Sequence, residues 1–399
     1  MKSNNKRLGD YIKEVKVRNS ELKAKKLLGI NIDKFFMPSV ANVIGTDMSV
    51  YKIVKTNQFA CNRMHVGRDK RLPVALSKME EDFMVSPAYD VFEIIDSTLL
   101  LPEYLMMWFT RKEFDRNSWF YTDADVRGGL AWKAFIDMQL PIPILEKQKE
   151  IVKEYRILVN RIDLNNQLIT KLEETAQTIY KQWFVDFEFP DANGLPYKSN
   201  GGEMIESELG EIPKGWQIDC LSGIATYLNG LAMQKYSSEN EEYLPVIKIR
   251  ELSLGYTDKT SDKASTKIPK QYIIENGDII FSWSGTLKVE IWTGGKGGLN
   301  QHLFKVTSKK FEKWFCYLWT NFHLQEFIRI AAGKATSLGH IKREHLNDAK
   351  VLVPNDFQII KMNNIMNPIF NSIINKKIEI RILSNLINYT LSSLANQNN

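Results

Sequence analysis

A chain of 399 residues, 44% hydrophobic and 25% charged, has the composition of a folded globular protein of two ordinary domains, and this excludes a disordered or fibrous class. Its formal charge of +6 permits a polyanionic partner, and the surplus is local, since residues 2 to 26 carry nine Lys or Arg against only Asp10, Glu14 and Glu21. Cys61, Cys220 and Cys316 are too scattered for a disulfide framework or a zinc site; with no apolar signal core and no apolar run long enough for a bilayer, a cytoplasmic protein is expected.

Residues 1–144 read as a mixed segment of short strands and Gly-bearing turns. A strand-like run in KTNQFACNRM leads into a basic stretch, NRMHVGRDKR, whose Arg63, His65, Arg68, Lys70 and Arg71 are candidates for DNA contact. An aromatic helix pattern, EYLMMWFTRKEF, follows. Next come DVRGGLAWK, with Arg127 and Lys133, and the Pro-bounded strand LPIPI. Arg can read guanine bidentately and Lys anchors phosphate, while the glycines permit close backbone approach.

From about Lys147 to Phe184 apolar residues alternate at spacings of four and three, the heptad signature of a coiled coil. The seam is Ile151, Tyr155, Leu158, Ile162, Asn165, Ile169, Leu172, Ala176, Ile179 and Trp183. Such a helix extends about 55 Å, at about 1.5 Å per residue, and must bury its stripe against another element. Residues 186–215, rich in Gly, Pro and acid, read as a linker held away from DNA.

The second half, residues 216–355, repeats the plan. Strand-like stretches are expected at Val246 to Arg250, Gln271 to Ile274 and Asp278 to Trp283, with Lys248, Arg250, Trp283 and Lys288 as candidates, and Gly294 to Gly298 as a flexible turn. After the pattern KWFCYLWTNFHLQEFI, the segment GKATSLGHIKR offers Lys334, Thr336, Ser337, His340, Lys342 and Arg343 ahead of the strand VLVP. Residues 356–395 form a second heptad helix with seam Met362, Met366, Ile369, Ile373, Lys376, Ile380, Leu383, Ile387, Thr390 and Leu394, in which Pro368 is expected to cause a kink or mark a late start.

Sliding the chain along itself shows the duplication. At an offset of 211, Trp108 falls on Trp319, Tyr104 on Phe315, Leu130 on Ile341, Phe135 on Leu346 and Pro143 on Pro354; earlier in each half the offset drifts, so that Asn57 meets Asn276 and Leu8 meets Leu221. Any single basic candidate is an ordinary surface charge, and it is their paired recurrence that points to a polyanion. The seams, being related, are expected to bury each other, with Asn165 and Lys376 as polar interruptions that fix register.

No catalytic constellation survives inspection. Asn367-Pro368-Ile369-Phe370 approximates the loop by which adenine-N6 methyltransferases hold their target, but it lies inside the heptad seam. Gly333-Lys334-Ala335-Thr336 lacks the first Gly and the Ser or Thr of a phosphate-binding loop, and the five histidines form no metal-ligand pair.

The segment TIYKQWFVDFEFPDANGLPYKSNGGEMIESELGEIPKGW, residues 178 to 216, preceded by LPIPILEKQKEIV, resembles the central region of Type I restriction-modification specificity subunits. The resemblance covers nearly the whole chain and implies an α+β fold. Two target-recognition domains would each read half of a bipartite, asymmetric DNA site, and two long antiparallel coiled-coil helices would act as a ruler for the unread spacer. It also implies two methyltransferase subunits and a motor-nuclease subunit as partners, which would bind the AdoMet, ATP and Mg that this chain does not. A self-contained adenine methyltransferase or a coiled-coil adaptor are the alternatives. The second junction, VLVPNDFQIIKMNN, departs from the family pattern.

Overall fold

The computed structural model describes residues 5–41, 45–64, 66–122, 128–239, 241–333 and 339–396; the candidates His65, Arg127, Lys334, Thr336 and Ser337 lie outside them. The chain divides into two compact units, one of residues 1–160 with 383–399, the other of residues 161–382.

In the first unit four short antiparallel strands form a sheet in the order Ile12–Val15, Asp90–Ile94, Phe59–Cys61, Val74–Leu76. Valine and phenylalanine suit such strands because bulky side chains pack on a half-buried pleated face. Phe59 stacks on Phe92 at 5.0 Å, and Phe109 meets both rings edge-on. The expected aromatic helix is two helices, Pro102–Thr110 and Lys112–Phe120, separated where Arg111 adopts an extended conformation. Lys34 is buried at positive φ, its ammonium bonded to Asp115 at 2.7 Å and lying over the Phe114 ring.

The second unit repeats that sheet in the same order: Thr226–Asn229, Leu303–Thr307, Ile279–Ser282, Lys288–Ile291. It adds a second sheet, Lys263–Ala264, Leu244–Ile247, Gly297–Leu299, Ile273–Ile274, in which the middle pair is parallel. Two expectations change here. The run Val246 to Arg250 leaves the strand at Ile247 and becomes a helix, Ile249–Leu254. The glycine run is a turn only in its first part, Gly294 to Lys296; Gly297–Leu299 is a buried strand, and a methyl on Gly297 would lie 2.7 Å from Ile247.

The duplication is visible in the elements. Helices begin at Pro102, Trp132 and Leu145 in one half and at Lys313, Arg343 and Asp356, each 211 positions on, in the other. The Leu8 amide donates to Met138 O at 2.8 Å, and the Leu221 amide donates to Ala349 O at 3.0 Å. One pairing shifts by a residue: Asn57 corresponds to Gly277, not Asn276. Both sit at positive φ and donate their amides to the facing strand, at Ser77 O and Trp292 O.

The long helices are Leu145–Phe184 and Asp356–Ser393. The second runs unbroken through Pro368, so the late start is overturned, and the tetrapeptide Asn367 to Phe370 is helical, with Phe370 buried against Tyr317. Every residue of both expected seams is buried or half-buried, and the positions between them carry most of the exposure. In the first unit Ile151 and Val152 join a core with Leu391 and Leu394. In the second, Ala176, Tyr180 and Trp183 join Met362, Met366 and Phe370. There Arg161 pairs with Glu379 at 2.6 Å, while Ala176, further along, shares a cavity wall with Phe370 and Ile373, so the two stretches run antiparallel.

Gln148, with no exposed surface, anchors the first long helix: it donates to Leu99 O and Pro143 O at 2.8 Å and accepts from the Leu101 amide at 2.9 Å. The second long helix replaces this anchor, with Gln358 accepting the Trp216 indole at 2.7 Å and Asn355 capping the first turn. Residues 186–215 are a packed part of the second unit. Phe189 stacks between Tyr197 and Trp216 at 4.6 and 5.1 Å, and Met204–Ile205 pairs with Ile212–Pro213. The acidic side chains stay outside this aromatic stack, which the composition of the segment hid.

Candidate nucleic-acid interface

In each unit the sheet strand that begins at Phe59 or Ile279 runs into a tip, and the tip is latched to the segment that precedes a short helix. The Leu130 amide donates to Arg63 O at 3.0 Å and the Ile341 amide to Trp283 O at 3.1 Å. The Gly67 amide donates to Gly128 O at 2.7 Å and the Gly285 amide to Gly339 O at 2.9 Å. Glycine is required at both latches: a methyl on Gly67 would sit 2.7 Å from Gly128 Cα, and Gly285 has φ of +66°. Arg63 and Trp283 thus occupy equivalent places, which brings together the two sequence segments that carry most of the candidates.

The side chains on these equivalent frames differ. Arg63 is committed inward: its Nε donates to Asp90 at 2.6 Å, another guanidinium nitrogen donates to Leu130 O, and the group lies over the Trp132 ring. With its side chain only 20% exposed, Arg63 braces the tip from within. Around it Arg68 forks onto Asp69, Lys70 lies over the Trp119 ring at 4.7 Å, and Arg71 reaches Asp33 at 2.9 Å. Lys133 is exposed.

In the second unit Trp283 is half-buried and donates its indole N–H to Asn229 Oδ1 at 2.9 Å. Its ring neighbours His302, Phe304 and His340 at 6.0, 5.7 and 6.3 Å. Ser284 Oγ lies 3.0 Å from His302 Nδ1, and Gln301 Nε2 lies 3.3 Å from His302 Nε2. This hydroxyl–imidazole–amide chain has no carboxylate in it, unlike a hydrolytic triad, and it offers the donors and acceptors that base edges require. Asn229, Ser284, Gln301 and His302 were not among the sequence candidates. Only the turn dipeptide Asn229-Gly230 signalled that a tip was there.

The basic candidates of this unit are mostly paired. Lys248 bonds Asp262, Lys288 lies 3.0 Å from Glu290 and Lys342 lies 3.1 Å from Glu344. Arg250 donates to Asp258 at 2.6 Å and to Glu251 at 2.7 Å, which raises its pKa; Thr260 and Arg250 hold the Asp258 carboxyl down at about 2. Arg343 lies over the Phe304 ring and donates to Tyr227 O at 3.4 Å. The exposed pairs Lys288–Glu290 and Lys342–Glu344 contribute little to stability, so a phosphate can displace the carboxylate at little cost, whereas Glu251 is buried and holds Arg250 more firmly. Among the described residues there is no His, Cys, Asp and Glu cluster fit for a metal, and no helix is long and apolar enough to cross a membrane.

Residues 213–399 match the family described as the Type I restriction modification DNA specificity domain. The chain is 25% identical over 317 residues to the Type I restriction enzyme MjaIX specificity subunit of Methanocaldococcus jannaschii, an alignment covering 75% of this chain and 70% of that one. It is 26% identical over 181 residues to the HindI specificity subunit of Haemophilus influenzae, covering 44% and 38%. The fold is similar to the crystal structure of the Type I restriction-modification S subunit from M. genitalium, with a TM-score of 0.58 at 12% identity, over 98% of this chain and 95% of that one.

Proposed function

We propose that this chain, similar to Type I restriction-modification specificity subunits, is the non-catalytic DNA reader of such a complex. It recognises a bipartite, asymmetric site in double-stranded DNA, one half through each unit. The observation that carries this reading is the latched tip, built twice on the same main-chain hydrogen bonds and furnished with different side chains. A duplicated frame with unlike chemistry is what two unlike half-sites require.

Adenine methylation and cleavage belong to partners in this account: two modification subunits that bind AdoMet, and motor-nuclease subunits that bind ATP and Mg. The helical state of Asn367 to Phe370 disfavours a self-contained methyltransferase, whose target-holding motif is a loop. The experiment is an exchange of residues 1–144 for those of another family member, followed by selection of bound sequences from a random duplex pool by the assembled complex. The expected result is a new first half-site with the second half-site kept. An unchanged target would reduce the chain to an adaptor.

A further inference from the structure

The first unit carries an exposed aromatic triplet that its folding does not explain. Trp119, Phe120 and Tyr121 end the helix Lys112–Phe120 and are 44%, 80% and 52% exposed, with Phe120 edge-on to Tyr121 at 5.3 Å. The equivalent helix of the second unit, Leu324–Ala332, is also nine residues long; at the offset of 211 Ile330 stands where Trp119 does, and the small Ala331 and Ala332 stand where Phe120 and Tyr121 do. The frame therefore tolerates small residues at this place, and the aromatics serve something outside it.

Their position is fixed. The Tyr121 amide donates to Asn117 O at 3.1 Å, and Thr122, bonded to Trp119 O through both its amide and its hydroxyl, bridges to Leu130. Leu130 is the residue whose amide latches Arg63, so the triplet stands next to the tip. Two lysines flank it. Lys70 lies over the Trp119 ring at 4.7 Å, and Lys133 shares with Tyr121 the wall of a cavity of about 680 Å³. Neither lysine is paired with a carboxylate among the described residues, in contrast to Arg63, Arg68 and Arg71. Apolar rings flanked by two ammonium groups fit a surface with stacked bases between two phosphate rows.

We propose that Trp119-Phe120-Tyr121 is a wedge that presses Phe120, backed by Tyr121, against a base step of the half-site read by the first unit, with Lys70 and Lys133 on the adjoining phosphates. The proposal rests on the DNA-reading function above and adds that the deformation is one-sided, because the matching helix end of the second unit carries alanines where Phe120 and Tyr121 stand. Sequence enters through the ease of unstacking, greatest at pyrimidine–purine steps.

The test uses the full chain assembled with its modification subunit, on target duplexes carrying 2-aminopurine at single positions of each half-site. The wild type should raise the fluorescence at one step of the first half-site only. Phe120→Ala should abolish that rise and weaken target binding about tenfold, in the range of one lost base stack, while Phe120→Leu, still an apolar wedge, should keep most of both. Phe120 is exposed, so its replacement leaves the core intact. Fluorescence and affinity unchanged in the Phe120→Ala, Tyr121→Ala double variant would overturn the wedge while leaving the reading standing. Loss of the modification subunit from the double variant, with the fluorescence rise intact, would reassign the patch to a protein partner. A wild-type complex with no sequence preference would overturn both.

Discussion

The two tips share their main-chain hydrogen bonds and differ in almost every side chain. In the first, the residue past the strand end that accepts the latch is Arg63, paired with Asp90 and sealed against Trp132. In the second it is Trp283, tied to Asn229 and surrounded by His302 and His340. The comparison separates what holds a recognition surface from what reads with it. The latch is conserved between the halves because it sets the loop geometry, while the outward groups are free to differ, because exposed polar substitutions cost little stability.

Breaking the first tip should cost most. Arg63→Ala leaves Asp90, only 14% exposed, without its partner, and should destabilise the first unit by about 3 kcal/mol, read as a lower midpoint in thermal or urea unfolding. Arg68→Ala, at an exposed side chain whose partner among the described residues is its neighbour Asp69, should leave the same midpoint almost unchanged. If the two variants behave alike, Arg63 is not a strut.

Gly67→Ala should come next, at about 2 kcal/mol, because its methyl meets main chain of Gly128 and not a movable side chain. Gly129→Ala, whose nearest neighbour is 3.8 Å away, is the control and should be close to neutral in the same assay.

Trp283→Phe keeps one aromatic ring but loses the pyrrole half of the indole and with it the hydrogen bond to Asn229, the latter worth about 1 kcal/mol. Its larger consequence should be altered base preference in one half-site only, seen by selection from a random pool; altered preference in both halves would contradict independent units. Lys342→Ala should leave preference unchanged and reduce the dependence of log affinity on log salt by about one phosphate contact.

The smallest effect concerns Asp258, which competes with phosphate for Arg250. Its carboxyl is held at about 2, below the ordinary 3.8, so the pairing is complete above about pH 4 and is lost only as pH falls through about 2. Arg250 should therefore contribute no pH dependence to DNA binding between pH 5 and 8. Asp258→Asn should strengthen binding by about two- to threefold at low salt, measured by fluorescence anisotropy.

How much of this was legible in the sequence follows from how local each feature is. The long helices and their seams could be read because a period of three and four is written in consecutive residues, and the offset of 211 because helix starts were duplicated without insertion. The tips could not be read, since Asp90, Asn229 and His302 reach Arg63, Trp283 and Ser284 from strands and a turn distant in sequence. Basic residues drew attention by their charge, yet most are paired with carboxylates that only the fold brings near. Residues 186–215 looked like a linker by composition, and Phe187, Phe189 and Trp216 instead bind the segment to the core. Pro368 does not end its helix, since the buried stripe of Met366, Phe370 and Ile373 carries the helix past it.

The central claim is that one chain reads two half-sites with two independent tips. The most direct measurement is single-molecule sequencing of methylated adenines in cells that co-express a modification subunit with the wild-type chain or with Trp283→Ala. The account predicts a bipartite motif with a fixed gap, in which the variant relaxes one half and leaves the other half and the gap unchanged. A single uninterrupted motif, or relaxation of both halves together, would contradict it.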